Sequence, residues 1–407
     1  MKFVISSLII AYAFSASAAA DDLRSSVLRE AAIDAGFVPS SATRQKTNPD
    51  LVSLGHLAFE STQLSAGQDI ACATCHRDLF GSADGISNAV GIGGDGAGDA
   101  RVASGGRIVP RNTLPFWGVG GIGYDTFFWD GKVSGHGDDL VSQFGHLALS
   151  SDPLVVAAMV PPVEVDEMVG DIGHLTTETV ESATVIYDQL VEQLATDPDI
   201  SDAVLKAFGT PANDVKFENY AKAIAEFIRF NFAVQDTRFH EFVFGKGNLT
   251  EDELNGGLIF YGKGRCSMCH NGPYFSDFNF HSIPSPSGSF GKNGFGIDYG
   301  RFNVTNDPRD RGKFRTPPLY NVLRTAPYGH SGAYLELSDI ILAHSDPLIV
   351  LNFQKLSSPQ RQDIYQQLRL WVDEPVSQSA YTSKELSQLI SFLATFELDA
   401  EREVISP

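Results

Sequence analysis

Cysteine is nearly absent from this chain: four in 407 residues, all within two short segments. Methionine is as scarce, also four, and tryptophan numbers three. So few sulfurs exclude a disulfide-dense scaffold. Basic side chains are outnumbered 30 to 50, for a formal net charge of −20. A chain this acidic repels phosphate, which argues against nucleic acid as a partner. The acidity reads first as solubility and only second as weak steering of a basic partner. Long apolar runs are missing as well. Beyond Phe14 nothing approaches the ~20 residues of a membrane helix, so no stable membrane insertion is expected. What remains, 43% hydrophobic and 20% charged, is ordinary globular composition at a length that suits two domains.

The first twenty residues read as an export signal. Lys2 is followed by an apolar run from Phe3 to Phe14, then by small residues ending Ala18-Ala19-Ala20. Cleavage is expected after Ala18 or Ala20, and the mature chain is expected in a periplasm.

An exported chain with four cysteines invites a disulfide reading, but the spacing speaks against it. The segments are Cys72-Ala73-Thr74-Cys75-His76 and Cys266-Ser267-Met268-Cys269-His270. Both are CxxCH, the attachment motif of c-type haem. Two thiols add to the haem vinyl groups, and the adjacent histidine becomes the proximal iron ligand. A redox CxxC pair, a zinc site or two small disulfide loops would not require the histidine twice. Two covalent haems are therefore expected, with His76 and His270 as iron ligands. The motifs lie 194 residues apart, so each is expected in its own lobe.

Helical signals dominate the rest. Residues 51–60 lead toward the first motif, residues 176–209 are helix-like, and residues 217–232 carry an apolar face through Phe217, Tyr220, Ile224, Phe227 and Ile228. Thr250 with Glu253 and Thr382 with Glu385 form capping boxes. The first opens a helix expected to run into Cys266. Gly91-Ile92-Gly93-Gly94-Asp95-Gly96 fits GxGxxG, but without a strand–helix context it reads as a flexible surface loop near the haem edge. The expected fold is mostly α: two cytochrome c-like haem lobes with long loops. Residues 21–175 are expected to form the N-terminal lobe and residues 176–407 the C-terminal lobe, with one haem in each. No internal repeat is visible apart from the paired motifs.

The chain resembles the bacterial dihaem cytochrome c peroxidases and their relative MauG. The likeness rests on Leu54 to Phe59 before the first motif, Pro110-Arg111-Asn112-Thr113, Phe128-Trp129-Asp130-Gly131-Lys132, Asp166-Glu167-Met168, and Phe314 to Gly332. The run Tyr328 to Tyr334 is most similar to the MauG-like branch that includes the methanobactin-associated enzyme MbnH.

The resemblance implies hydrogen peroxide as substrate at the first haem, with Glu167 moving the proton and Glu164 as its fallback. It implies Trp129 as the relay between haems, whereas Trp117 and Trp371 read as structural. It implies a calcium ion held by the Asn112 side chain and the carbonyls of Thr325 and Pro327. Many of the peroxidases block the first haem with a loop histidine. Residues 77–110 here have none, leaving only His136 or His146 to serve. Relatives carry a glutamine where this chain has Ala157. For the second haem the family uses Met or Tyr as sixth ligand. No Met follows Met268, and the matching position falls on His344, with His330, Tyr334 and His281 as competitors. Electrons would come from a small cytochrome or cupredoxin, or from Trp or Tyr side chains of a protein substrate. Homodimers are common in the family. Two rival readings are a dihaem electron carrier without peroxide chemistry and a sensor for small haem ligands.

Overall fold

The computed structural model describes residues 23–144, 150–170, 180–288, 290–377 and 379–398. The export signal, His146 and the expected lobe boundary at 175 lie outside the described residues. The longer helices are α1 (23–34), α2 (Pro49–Glu60), α3 (Pro153–Met159), α4 (Val180–Leu194), α5 (Pro198–Phe208), α6 (Phe217–Asn231), α7 (Glu251–Tyr261), α8 (Leu337–Ser345), α9 (Ser358–Trp371) and α10 (Ser383–Leu393). Strand is confined, among the described residues, to two short antiparallel pairs. β1 (Thr126–Phe127) pairs with β2 (Val133–Ser134), and β3 (Phe280–His281) with β4 (Phe314–Arg315). The protein is mostly α with long loops, as expected.

Local chemistry sets the helix ends. The Asn48 side chain accepts from the Asp50 N–H at 2.9 Å and opens α2, with Pro49 at the first helical position. Both capping boxes form: Glu253 accepts from the Thr250 N–H at 2.7 Å and Glu385 from the Thr382 N–H at 2.9 Å. Two expectations need adjusting. Residues 176–209 are not one helical stretch, because Asp197 caps a new helix at Pro198. Nor does α7 run into Cys266; it stops at Tyr261, before Gly262, and Cys266–Met268 form a separate tight turn.

A structural repeat underlies the unlike sequences. Ahead of the first CxxCH, α2 crosses α6 so tightly that a Cβ on Gly55 would lie 2.0 Å from the Ala223 carbonyl oxygen. Ahead of the second, α7 crosses α10, and a Cβ on Gly256 would lie 1.9 Å from the Gln388 carbonyl oxygen. One glycine per lobe lets two helix backbones touch. The packing also groups segments past residue 175. Gln193 on α4 donates to the Gln63 and Ser65 carbonyls, Tyr187 donates to the Met159 carbonyl, and Lys206 on α5 pairs with Asp50. Thus α4, α5 and α6 pack with the first CxxCH lobe. Helix α1 goes the other way: Arg24 reaches Asn255 at 3.1 Å, and Arg29 donates to the Phe242 carbonyl at 2.8 Å.

Overpacking a close-packed crossing costs about 1–3 kcal/mol. Gly55→Ala and Gly256→Ala are each expected to lower the thermal midpoint of the haem-loaded protein, whereas Ser53→Ala on the exposed face of α2 leaves it unchanged. Calorimetry of the three variants checks this.

Candidate active site

Cys72 to Cys75 form a single helical turn that ends at His76. The His76 Nδ1 lies 3.0 Å from the Ser82 carbonyl oxygen, and Phe116 stacks on the ring at 3.7 Å. Nδ1 is thus occupied and Nε2 remains for a metal. Metal-bound histidines ordinarily donate their other nitrogen to a backbone carbonyl in this way. Burial pushes His76 down to about 4, so the ring is neutral and keeps a lone pair. The three motif residues line a cavity of about 700 Å³.

The second motif repeats the device. The His270 Nδ1 lies 2.9 Å from the Phe275 carbonyl oxygen. Across a narrower cavity of about 200 Å³ stands His344, whose Nδ1 meets the Ile340 carbonyl oxygen at 2.7 Å. The two ring centres are 6.4 Å apart. A metal between two imidazoles, each bound at about 2 Å, holds ring centres about 6 Å apart. Of the competitors, Tyr334 donates its hydroxyl to the Pro284 carbonyl. His281 has Glu374 and Asp277 oxygens 2.9 Å from its two nitrogens, which push it up to about 12 despite burial. His330 lines the cavity but is stacked flat on Phe314 at 3.8 Å. The four cysteines are unbridged. Burial pushes Cys72 and Cys266 up to about 12, which suits neither a redox dithiol nor a thiolate zinc site. Paired thiols beside a neutral histidine, each set on a cavity, fit covalently attached haem.

The wall of the first cavity carries the acids. Glu167 sits on the wide turn Val165–Val169 and lines the cavity, as does Glu164 at the start of that turn. Lys132 pairs with Glu164 at 2.6 Å. Burial opposes the charge on Glu164, but Lys132 and Lys292 hold its carboxyl below the usual range. The Glu167 carboxyl has no ion pair or hydrogen bond among the described residues. Burial, then the Glu164 carboxylate, push it up to about 7 against the pull of Lys132 and Lys292. Two carboxyls on one turn are thus driven apart in acidity, the pattern that marks acid–base chemistry. Ala157 lines the same cavity, and His76 is the sole histidine among the described lining residues. His136 is exposed and is not among the lining residues.

The glycine-rich loop is held, contrary to the expectation of a flexible one. Arg101, 3% exposed, donates to the carbonyls of Val90, Gly91 and Gly94. A Cβ on Gly91 would fall 1.9 Å from the Asp166 carbonyl oxygen, so this glycine lets the loop press on the Glu167 turn. Sequence reading gave Arg101 no role, nor Lys292, which lines the first cavity from the second half of the chain. Neither stands in a pattern that would expose it.

Trp129 lines both cavities, and its indole N–H donates to the Asn112 carbonyl at 2.9 Å. The Asn112 amide lies 2.6 Å from the Pro327 carbonyl oxygen. Arg111 pairs with Asp130 at 2.6 Å and with Asp298 at 2.7 Å.

A family model described as di-haem cytochrome c peroxidase matches residues 49–248. The chain belongs to the di-haem cytochrome c peroxidase family. Among its relatives, cytochrome c551 peroxidase of Pseudomonas aeruginosa is 27% identical over 75% of each chain. Methylamine utilization protein MauG of Methylorubrum extorquens is 26% identical over 74% of this chain and 71% of its own. Two solved structures share the fold. A MauG-like protein associated with microbial copper homeostasis has a TM-score of 0.62 at 22% identity, covering 89% of this chain and 92% of its own. The diheme peroxidase BthA of Burkholderia thailandensis has a TM-score of 0.63 at 18% identity, covering 89% of each. As a member of this family the protein is an oxidoreductase with two c-type haems.

The facing imidazoles give a direct check. His344→Ala is expected to convert the second haem from low-spin to high-spin while haem content stays at two per chain. Electron paramagnetic resonance with a pyridine haemochrome assay reads both.

Proposed function

We propose that this protein reduces hydrogen peroxide at the N-terminal haem and takes the electrons, through the C-terminal haem, from Trp or Tyr side chains of a protein substrate. The observation that carries the reading is the first cavity: His76 is the sole histidine among its described lining residues, and a carboxyl raised to about 7 lines it. When bound, the haem iron supplies the site that takes peroxide and accepts electrons. The chain supplies the proton chemistry. Glu167 takes the proton from the bound oxygen of peroxide and returns it to the departing one, so that two electrons and two further protons yield water. Burial, and then Glu164 held ionised by Lys132, raise Glu167 to about 7. Trp129 borders both cavities and is placed to pass electrons between them. His344, facing His270 across the second cavity, would hold the second haem's iron together with it. An imidazole there in place of Met would lower the potential, which favours the more oxidised states of that iron. Calcium would sit at Asn112 with the Thr325 and Pro327 carbonyls, replacing the amide contact now at Pro327. Among the described residues no helix is long and apolar enough to cross a membrane. Export of the mature chain to a periplasm rests on residues 1–20 and on covalent haem attachment.

Stopped-flow absorption of the haem-loaded diferric protein mixed with hydrogen peroxide, without donor, tests the reading. A fast spectral change is expected. Reaction only after addition of one electron would mean that a protein ligand closes the first haem at rest. Glu167→Gln is expected to slow the reaction about 10²–10⁴-fold. The same experiment against pH gives the acidity. A carboxyl raised to about 7 is protonated below that pH and cannot accept a proton, so the rate climbs as pH rises through about 7. Glu164→Gln removes a neighbouring negative charge, makes Glu167 more acidic, and moves the climb to lower pH.

A further inference from the structure

Charged side chains around the two cavities are mostly answered by partners. Arg111 has Asp130 and Asp298, Lys132 has Glu164, and Arg107 has Asp166. Arg315 is different. It lies on β4, is 2% exposed, and no carboxylate among the described residues pairs with it. Its Nε donates to the Phe128 carbonyl at 3.0 Å, and one Nη reaches the Tyr124 hydroxyl at 3.3 Å. Its backbone N–H donates to the Trp129 carbonyl at 2.8 Å. The rings of Tyr124 and Phe278 each stand 5.7 Å from the guanidinium carbon. A buried cation left without a counter-charge is strongly unfavourable. Neutral acceptors and ring faces do not replace an anion.

The position of Arg315 shows where that anion comes from. It and Trp129 are the two described residues that line both cavities. Each haem carries propionate carboxylates, and these must also find cations inside the protein. A planar guanidinium with unused N–H donors suits carboxylates in fork geometry. We propose that Arg315 is a positioning residue that receives propionates of both haems and, through the Phe128 and Trp129 carbonyls, ties Trp129 to them. This rests on the reading that both cavities hold haem. Phe128 is held at φ +64°, a left-handed backbone that a phenylalanine rarely adopts; the Arg315 bond to its carbonyl helps keep it there. The second lobe thereby supplies part of the first haem's site. Lys292 does the same more locally. It lines the first cavity alone and has no ion pair among the described residues.

Spectroelectrochemical titration of the haem-loaded protein tests this on Arg315→Gln, Arg315→Lys and Lys292→Gln. Removing a positive charge beside a haem favours its ferric form and lowers its midpoint potential. Arg315→Gln is expected to lower the midpoints of both haems, Arg315→Lys to restore them, and Lys292→Gln to leave the second haem unmoved. Unchanged midpoints in Arg315→Gln, or a shift at only one haem, overturn the proposal. If Arg315→Gln does not load two haems, resonance Raman spectra of Arg315→Lys decide. A lysine cannot span two carboxylates, so the propionate bending bands of both haems are expected to shift; unshifted bands overturn the proposal. A wild-type chain binding fewer than two haems would instead sink the underlying reading of the cavities.

Discussion

Between the two cavities, three arginines converge on four residues. Arg315 holds the Phe128 and Trp129 carbonyls, Arg111 holds the Asp130 carboxylate, and Arg301 donates to the carbonyls of Asp130 and Gly131 at 2.8 Å each. Two of the three come from the second half of the chain. Arg111 binds Asp298 from that half as well. The segment that borders both haem sites is therefore fixed by hydrogen bonds from both lobes. Three of its carbonyls accept from guanidinium N–H groups and that of Trp129 from the Arg315 backbone N–H, because this stretch has no helix or long strand to satisfy them. A relay between cofactors requires fixed distances, and charge-assisted hydrogen bonds onto a short run of backbone are a direct way to fix them.

The same economy shapes the first cavity. A buried carboxyl near neutrality needs a low-dielectric surrounding and a neighbouring negative charge, but that neighbour must be kept ionised. One lysine from the Phe128–Lys132 run serves Glu164, and Glu164 in turn acts on Glu167. The two acids lie on one wide turn, and the turn lies against a glycine loop pinned by Arg101. Acidity, backbone geometry and inter-lobe packing are thus parts of one arrangement. Changing Lys132 would alter them together.

How much of this was legible in the sequence differs by residue, for physical reasons. Cys72, Cys75, His76 and their counterparts stand in a spacing that covalent haem chemistry demands, so they were readable directly. The helix starts at Thr250 and Thr382 were readable because a capping box is local. Glu167, Trp129 and His344 were reachable only through a family resemblance; a lone carboxylate, indole or imidazole carries no pattern of its own. Arg101, Lys292 and Arg315 act through backbone carbonyls or across a cavity, and neither leaves a spacing. The helix crossings at Gly55 and Gly256 were hidden because two isolated glycines, set at different distances from their motifs, do not align as a repeat. The grouping of α4 to α6 with the first lobe was hidden because it depends on long-range contacts, whereas composition shifts only mark a place where the chain could divide.

Helix α1 has a consequence for how the chain is made. Its partners are Asn255 and Phe242, and the Arg24 contact closes a loop of 231 residues. At ribosomal rates that interval is on the order of tens of seconds. Through it the first helix waits unpaired while the lobe that follows it is already being assembled. Docking of α1 therefore waits until more than half of the chain has been made, and the earliest described helix closes onto a segment that lies just ahead of the second CxxCH.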